Sequence, residues 1–138
     1  MRLALLLLAG CATPLAFTVD ASFPPADRAE IARAAAAWNA LTVDSRRLTL
    51  NGGKWRLAEE DPGTGYNGHC YGPPRRLIQI AREPVGATTY AVALHEFGHA
   101  LGLRHLCALV PNEAAAHQIP MCAAGAEPLG VMDPSHVV

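Results

Sequence analysis

The sequence predicts an α+β domain in which short strands pack against two helices and an irregular C-terminal part follows. Three observations carry that expectation. Short β-prone runs recur between Leu15 and Ile80, two longer segments space apolar residues as helices do, and regular periodicity fades after Cys107.

Leu15-Ala16-Phe17-Thr18-Val19 is the first β-prone run. Ser22, Pro24 and Pro25 then open a helix that runs to about Leu41, since a first helical turn tolerates proline. Ile31, Ala34, Trp38 and Leu41 share one face of that helix, and the intervening alanines allow close packing on a sheet. Trp38 therefore reads as core. Leu48–Leu50 and Lys54–Leu57 flank Asn51-Gly52-Gly53, which predicts a β-hairpin, with Asn-Gly supplying positive φ. The segment from Pro62 to Pro74 is rich in glycine and proline and reads as a loop or an irregular edge. Leu77, Ile78 and Ile80 mark a further strand within Arg75–Ala81. Thr88 or Thr89 caps a second helix that ends near Leu101. Beyond it, only a short helix around Asn112–His117 is expected.

At 138 residues the chain forms one domain with room for a core. A net charge of −1 gives no basis for binding nucleic acid. Hydrophobic residues reach 51%, raised by alanine and by the N-terminus, yet no apolar run approaches the roughly 20 residues that span a bilayer. Met1-Arg2 followed by Leu3–Leu8 reads as a targeting segment, and Leu8-Ala9-Gly10-Cys11 resembles the lipobox of bacterial lipoproteins. Residues 1–10 are then a cleaved signal and Cys11 the lipidated first residue of a catalytic domain over 11–138, whose membrane attachment is by lipid anchor only. The alternative is an ordinary secretory signal, giving a secreted or periplasmic protein. Both readings export the chain to the cell envelope or beyond, where disulfides persist. The short interval before the first strand leaves no room for a propeptide.

Setting Cys11 aside leaves Cys70, Cys107 and Cys122, which allow three pairings. Joining Cys107 to Cys122 closes a loop of about 16 residues and contributes roughly 3 kcal/mol on the chain-entropy model. Cys70 is then the odd thiol; a thiol of this kind can also silence a zinc site by ligating it.

The chemistry concentrates in His95-Glu96-Phe97-Gly98-His99-Ala100-Leu101-Gly102-Leu103-Arg104-His105. Residues four apart lie on one helix face, so His95 and His99 can reach one metal ion. Glu96 projects beside that metal without ligating it and can take a proton from the water it activates. Gly102 falls where the helix must stop and reverse, and glycine tolerates the positive φ required. The reversal returns His105 as the third ligand. Three nitrogens and one open position describe a catalytic zinc site, whereas structural sites are closed by four protein ligands. His69, His117 and His136 read as structural or surface residues, and Glu113 and Glu127 as glutamates made redundant as ligands by His105.

With this motif the chain resembles the metzincin clan of zinc metallopeptidases. Its fold is a twisted mixed β-sheet packed on two helices, with a short C-terminal part carrying a Met-turn. Gly130-Val131-Met132-Asp133-Pro134-Ser135 supplies such a turn, and the resemblance implies that Met132 floors the three imidazoles. Pro134 is similar to the matrixin branch, as is the run from Ile31 to Thr42. Leu106 and the long interval from His105 to Met132 depart from it, so the clan is assigned and the branch stays open. Gly68-His69-Cys70-Tyr71 falls where that family has its antiparallel edge strand. The resemblance implies a monomeric endopeptidase with one catalytic Zn²⁺, binding a peptide or protein substrate as an extended strand along that edge. Tyr66, Tyr71 and Tyr90 are alternatives for stabilising the oxyanion. Two other functions compete: a zinc hydrolase acting on cell-wall peptides, and a retired zinc-binding lipoprotein. An intact Glu96 argues against the second.

Overall fold

The computed structural model describes residues 13–41, 46–63, 65–109, 111–122 and 132. Residues 1–10, Cys11, Glu127, His136 and all of the expected Met-turn except Met132 lie outside the described residues. The elements are β1 (Leu15–Val19), α1 (Pro25–Leu41), β2 (Leu48–Thr49), β3 (Trp55–Glu59), β4 (Gly68–Tyr71), β5 (Leu77–Ile80), α2 (Thr89–Ala100) and α3 (Pro111–His117). No helix among the described residues is long and apolar enough to cross a membrane.

The strands form one mixed sheet in the order β2-β1-β3-β5-β4. β1, β2, β3 and β5 run parallel, and β4 closes one side antiparallel to β5. All four β5 residues are buried, as expected of an inner parallel strand. Phe17 of β1 has no exposed surface. It meets Trp55 at 5.5 Å and Phe97 of α2 edge-on at 5.1 Å, tying the sheet to that helix.

The hairpin expected over Leu48–Leu57 is not formed. β2 and β3 lie on opposite sides of β1, each parallel to it. Gly52 does adopt positive φ (+104°), but the turn carries the chain across the face of β1 instead of back along β2. The Gly52 N–H donates to the Phe17 carbonyl at 3.0 Å, and the Thr18 hydroxyl bonds both the N–H and the carbonyl of Gly53 at 3.1 Å. Local turn chemistry is thus satisfied while the apolar β1 gains a neighbour on each edge. Pairing two separate strands with β1 outweighs pairing them with each other.

Two asparagines finish the sheet margins. Asn39 of α1 bonds both backbone groups of Leu48, accepting its N–H at 2.8 Å and donating to its carbonyl at 2.9 Å, which blunts the β2 edge. Asn67 does the same for Val85 at 2.8 and 2.9 Å, pinning the approach to α2 beside the start of β4. The core face of α1 is Ile31, Ala34, Ala35 and Trp38. Trp38 is core as expected, and its Nε1–H donates to the Leu94 carbonyl at 2.7 Å. Leu41 departs from expectation: it is the last helical residue and is 76% exposed, so the face ends at Trp38.

The crossing over β1 yields a test. A Cβ on Gly53 would lie 2.2 Å from the Ala16 carbonyl oxygen, a backbone atom that cannot swing aside. Gly53→Ala is expected to destabilise the fold by roughly 2 kcal/mol or more, read as a lowered urea midpoint. A midpoint equal to wild type would restore the hairpin and remove the crossing.

Candidate metal centre

Helix α2 builds the site. Thr88, in extended conformation, caps it by accepting the Ala91 N–H. Asp27 and Glu30 of α1 add acceptors at the same end, from Thr89 Oγ1 at 3.2 Å and the Tyr90 N–H at 2.8 Å, where negative charge suits the helix dipole. Thr89, Val92, Ala93, Glu96 and Phe97 are buried at positions i, i+3, i+4, i+7 and i+8, one helical face. His95 and His99 lie on the neighbouring stripe.

The helix ends in a Schellman reversal. Gly102 takes φ +93°, its N–H donates to the His99 carbonyl, and the Leu103 N–H donates to the Gly98 carbonyl, both at 2.9 Å. The reversal has two effects. It returns His105 towards the helix, and it places the Leu103 carbonyl 2.9 Å from His99 Nδ1.

His95, His99 and His105 then converge. Their Nε2 atoms form a triangle with edges of 3.1 Å (95 to 99), 3.0 Å (99 to 105) and 3.1 Å (95 to 105). A carbonyl has no proton to give, so His99 Nδ1 carries one and donates it to Leu103. A carboxylate has none either, so His105 Nδ1 donates to Glu113 Oε1 at 2.6 Å. His99, held neutral, turns its Nε2 lone pair towards the same point as the Nε2 atoms of His95 and His105. Three imidazole nitrogens converging on one point from a helix and its reversal are the donor set of a metal ion. Nitrogens bound to tetrahedral zinc at about 2.0–2.1 Å lie about 3.4 Å apart, so the triangle fits such an ion within about 0.4 Å. Burial also holds His99 below the ordinary imidazole pKa, favouring the neutral ring a metal requires. The three residues are the described His/Cys/Asp/Glu group able to hold a metal.

Glu96 is 4% exposed, and burial pushes its carboxyl up to about 8. Its Oε2 is buried without a hydrogen-bond partner among the described residues. Gly68 of β4 makes room for it, since a Cβ there would fall 2.8 Å from Glu96 Oε1. Met132 is buried against α2 at Gly98, where a Cβ would stand 2.3 Å from its sulfur. Its carbonyl accepts the N–H of Leu106, the residue after His105. Cys107 and Cys122 are joined by a disulfide, one of the three pairings the sequence allowed.

Other candidates fall elsewhere. Tyr90 is held by α1, with the Arg33 guanidinium 4.6 Å over its ring. Tyr71 stacks between His69 at 4.3 Å and Arg75 at 3.8 Å, and Tyr66 stands edge-on to His69. The structure singles out none of the three tyrosines for the oxyanion. His117 ends α3 and is exposed. Sequence reasoning missed three supports of the site. Gly68 and Gly98 give no signal, because close approach across a fold leaves no mark on spacing. Glu113 had been weighed as a metal ligand and instead holds a ligand's far side.

Cys70 packs against the core from β4, and burial, helped by nearby Glu96, raises its thiol pKa to about 12. Only the thiolate reacts with alkylating reagents. At pH 8 the peptide carrying Cys70 is therefore expected to label roughly a thousandfold more slowly in the folded protein than in urea, by mass spectrometry. Equal rates would place that thiol in solvent.

No family model matches the sequence, and no curated protein matches it. Solved structures do. Myroilysin superposes with a TM-score of 0.60 at 14% identity, over 91% of this chain and 68% of its own. A second myroilysin structure gives 0.58 at 14%, over 88% and 69%. High choriolytic enzyme 1, a hatching-enzyme zinc-protease of the medaka fish Oryzias latipes, gives 0.51 at 15%, over 88% and 67%. At such identities the likeness speaks for architecture. With its mixed sheet, two packed helices and converging histidine triad, the chain has the metzincin-like fold that its eleven-residue motif led one to expect.

Proposed function

We propose that the chain is a zinc-dependent endopeptidase. The observation that carries this reading is the triangle of Nε2 atoms, with the Nδ1 side of His99 held by the Leu103 carbonyl and that of His105 by Glu113. A zinc ion held there by His95, His99 and His105 would supply Lewis-acid chemistry, lowering the pKa of a water and polarising the scissile carbonyl. The remaining chemistry belongs to Glu96. It sits one residue from His95 on the face turned to β4, in a buried setting that raises its proton affinity. As general base it takes the proton of the attacking water, and as general acid it returns that proton to the leaving amine.

The substrate is a peptide or protein segment bound as an extended strand. β4 stands at the edge of the sheet formed by the described residues, which supports strand addition there. Gly68 brings β4 against Glu96, which supports a strand bound along that edge lying near the base. We further propose that the protein acts as a monomer in the cell envelope, anchored by lipid on Cys11; if the segment is instead an ordinary cleaved secretory signal, the protein would be secreted or periplasmic.

The test pairs zinc content with cleavage of an unbiased peptide mixture. Wild type and Glu96→Ala should each hold one zinc per chain. Cleavage by the variant should fall by roughly 10²- to 10⁴-fold. Undiminished cleavage would remove Glu96 as the base, and a wild type without bound zinc would sink the reading as a whole.

A further inference from the structure

The segment after His105 does more than link it to Met132. It leaves the site at Cys107, forms α3, and returns at Cys122, closed at its neck by the disulfide with Cα atoms 4.9 Å apart. Two backbone bonds reinforce the neck, Ala108 N–H to the Pro120 carbonyl at 2.8 Å and Cys122 N–H to the Ala108 carbonyl at 2.9 Å. Cys107 is 1% exposed and stands two residues from His105. The loop is therefore anchored beside the third imidazole, and it carries one side chain back to it: Glu113 of α3, with Oε1 2.6 Å from His105 Nδ1.

Geometry distinguishes the three rings. His95 and His99 are fixed by one buried helix, and His99 is oriented further by the Leu103 carbonyl of the same reversal. His105 lies beyond the helix end, in a stretch without regular structure, about a quarter exposed. Its rotation and tautomer must be set from outside the motif. A carboxylate does this well. It only accepts, so it fixes the proton on Nδ1, and its charge makes the paired Nε2 a stronger donor to a metal.

We propose that Glu113 is the positioning residue of the third metal ligand, and that the Cys107–Cys122 loop serves to deliver it. This rests on the reading of His95, His99 and His105 as ligands. The full chain is titrated with zinc against a chromophoric chelator, and its cobalt-substituted visible spectrum is recorded. Glu113→Gln keeps shape and an acceptor but loses the charge, and should weaken zinc binding by roughly 10- to 100-fold, with Glu113→Ala at least as weak. The cobalt spectrum should shift in both, while circular dichroism and the Tm of the metal-free protein stay near wild type. Joint replacement of Cys107 and Cys122 by serine should weaken zinc binding too, and adding Glu113→Gln to it should change little, since the two act through one contact. Wild-type affinity and spectrum in both Glu113 variants would overturn the proposal while leaving the zinc reading intact. If wild type itself binds no zinc, the endopeptidase reading fails separately. The metal-free protein then decides: nitrogen NMR should place the His105 proton on Nδ1 in wild type and on a mixture of Nδ1 and Nε2 in Glu113→Ala, and an unchanged tautomer would overturn it.

Discussion

Three imidazole Nε2 atoms converge to within 3.0–3.1 Å of one another. The rest of the molecule imposes the arrangement. Helix α2 is buried along its length between α1 and the sheet, so His95 and His99 have no freedom to turn away. The Schellman reversal fixes where the chain goes next, and the Leu103 carbonyl and Glu113 carboxylate fix which nitrogen carries each proton. The fold thus gathers three imidazoles at one point where they could hold a metal ion, an arrangement in which binding free energy would add to the stability of the folded state.

Close approach is the second constraint. Gly98 lies on the side of α2 where Met132 packs, and Gly68 lies where β4 crosses Glu96. Glycine inside a helix costs about 1 kcal/mol relative to alanine. Here it lets a polarisable thioether sit directly on the helix backbone that carries His95 and His99. Met132 is joined to the segment after His105 as well, its carbonyl accepting the Leu106 N–H at 3.1 Å.

Much of this was legible in the sequence because it is local. Helical spacing located both helices and the stripe of His95 and His99, the cap lay between Thr88 and Thr89 and the structure uses Thr88, and the glycine at 102 marked the reversal, where φ is positive. The antiparallel edge at Gly68–Tyr71 came by resemblance and is where the structure has it. What failed was non-local. Asn51-Gly52-Gly53 has the residues of a hairpin turn, and Gly52 adopts the conformation of one, yet a two-residue turn cannot report that β1 lies between the strands it joins. Leu41 continued a helical stripe past the last neighbour of that helix. Glu113 was visible as a carboxylate eight residues from His105, but its role follows from a disulfide that three cysteines could have paired otherwise.

Two glutamates bury an oxygen without a partner among the described residues, and their difference bears on chemistry. Leaving a buried acceptor unpaired costs about 1–3 kcal/mol, more for a charged group. Glu59 offsets that cost through Arg82, whose guanidinium bonds its other oxygen. Glu96 carries its burial without such a cation, and desolvation pushes its carboxyl up to about 8. A side chain tolerated only at a loss is better explained by what happens beside it than by what it stabilises. The neighbouring triangle of nitrogens supplies that explanation: an ion held there would place positive charge next to the carboxylate and return its affinity for protons towards the range in which it can both accept and release one. On the proposed reading, the three converging imidazoles and the buried Glu96 carboxyl are two halves of one electrostatic arrangement, which a cation at the triangle would complete.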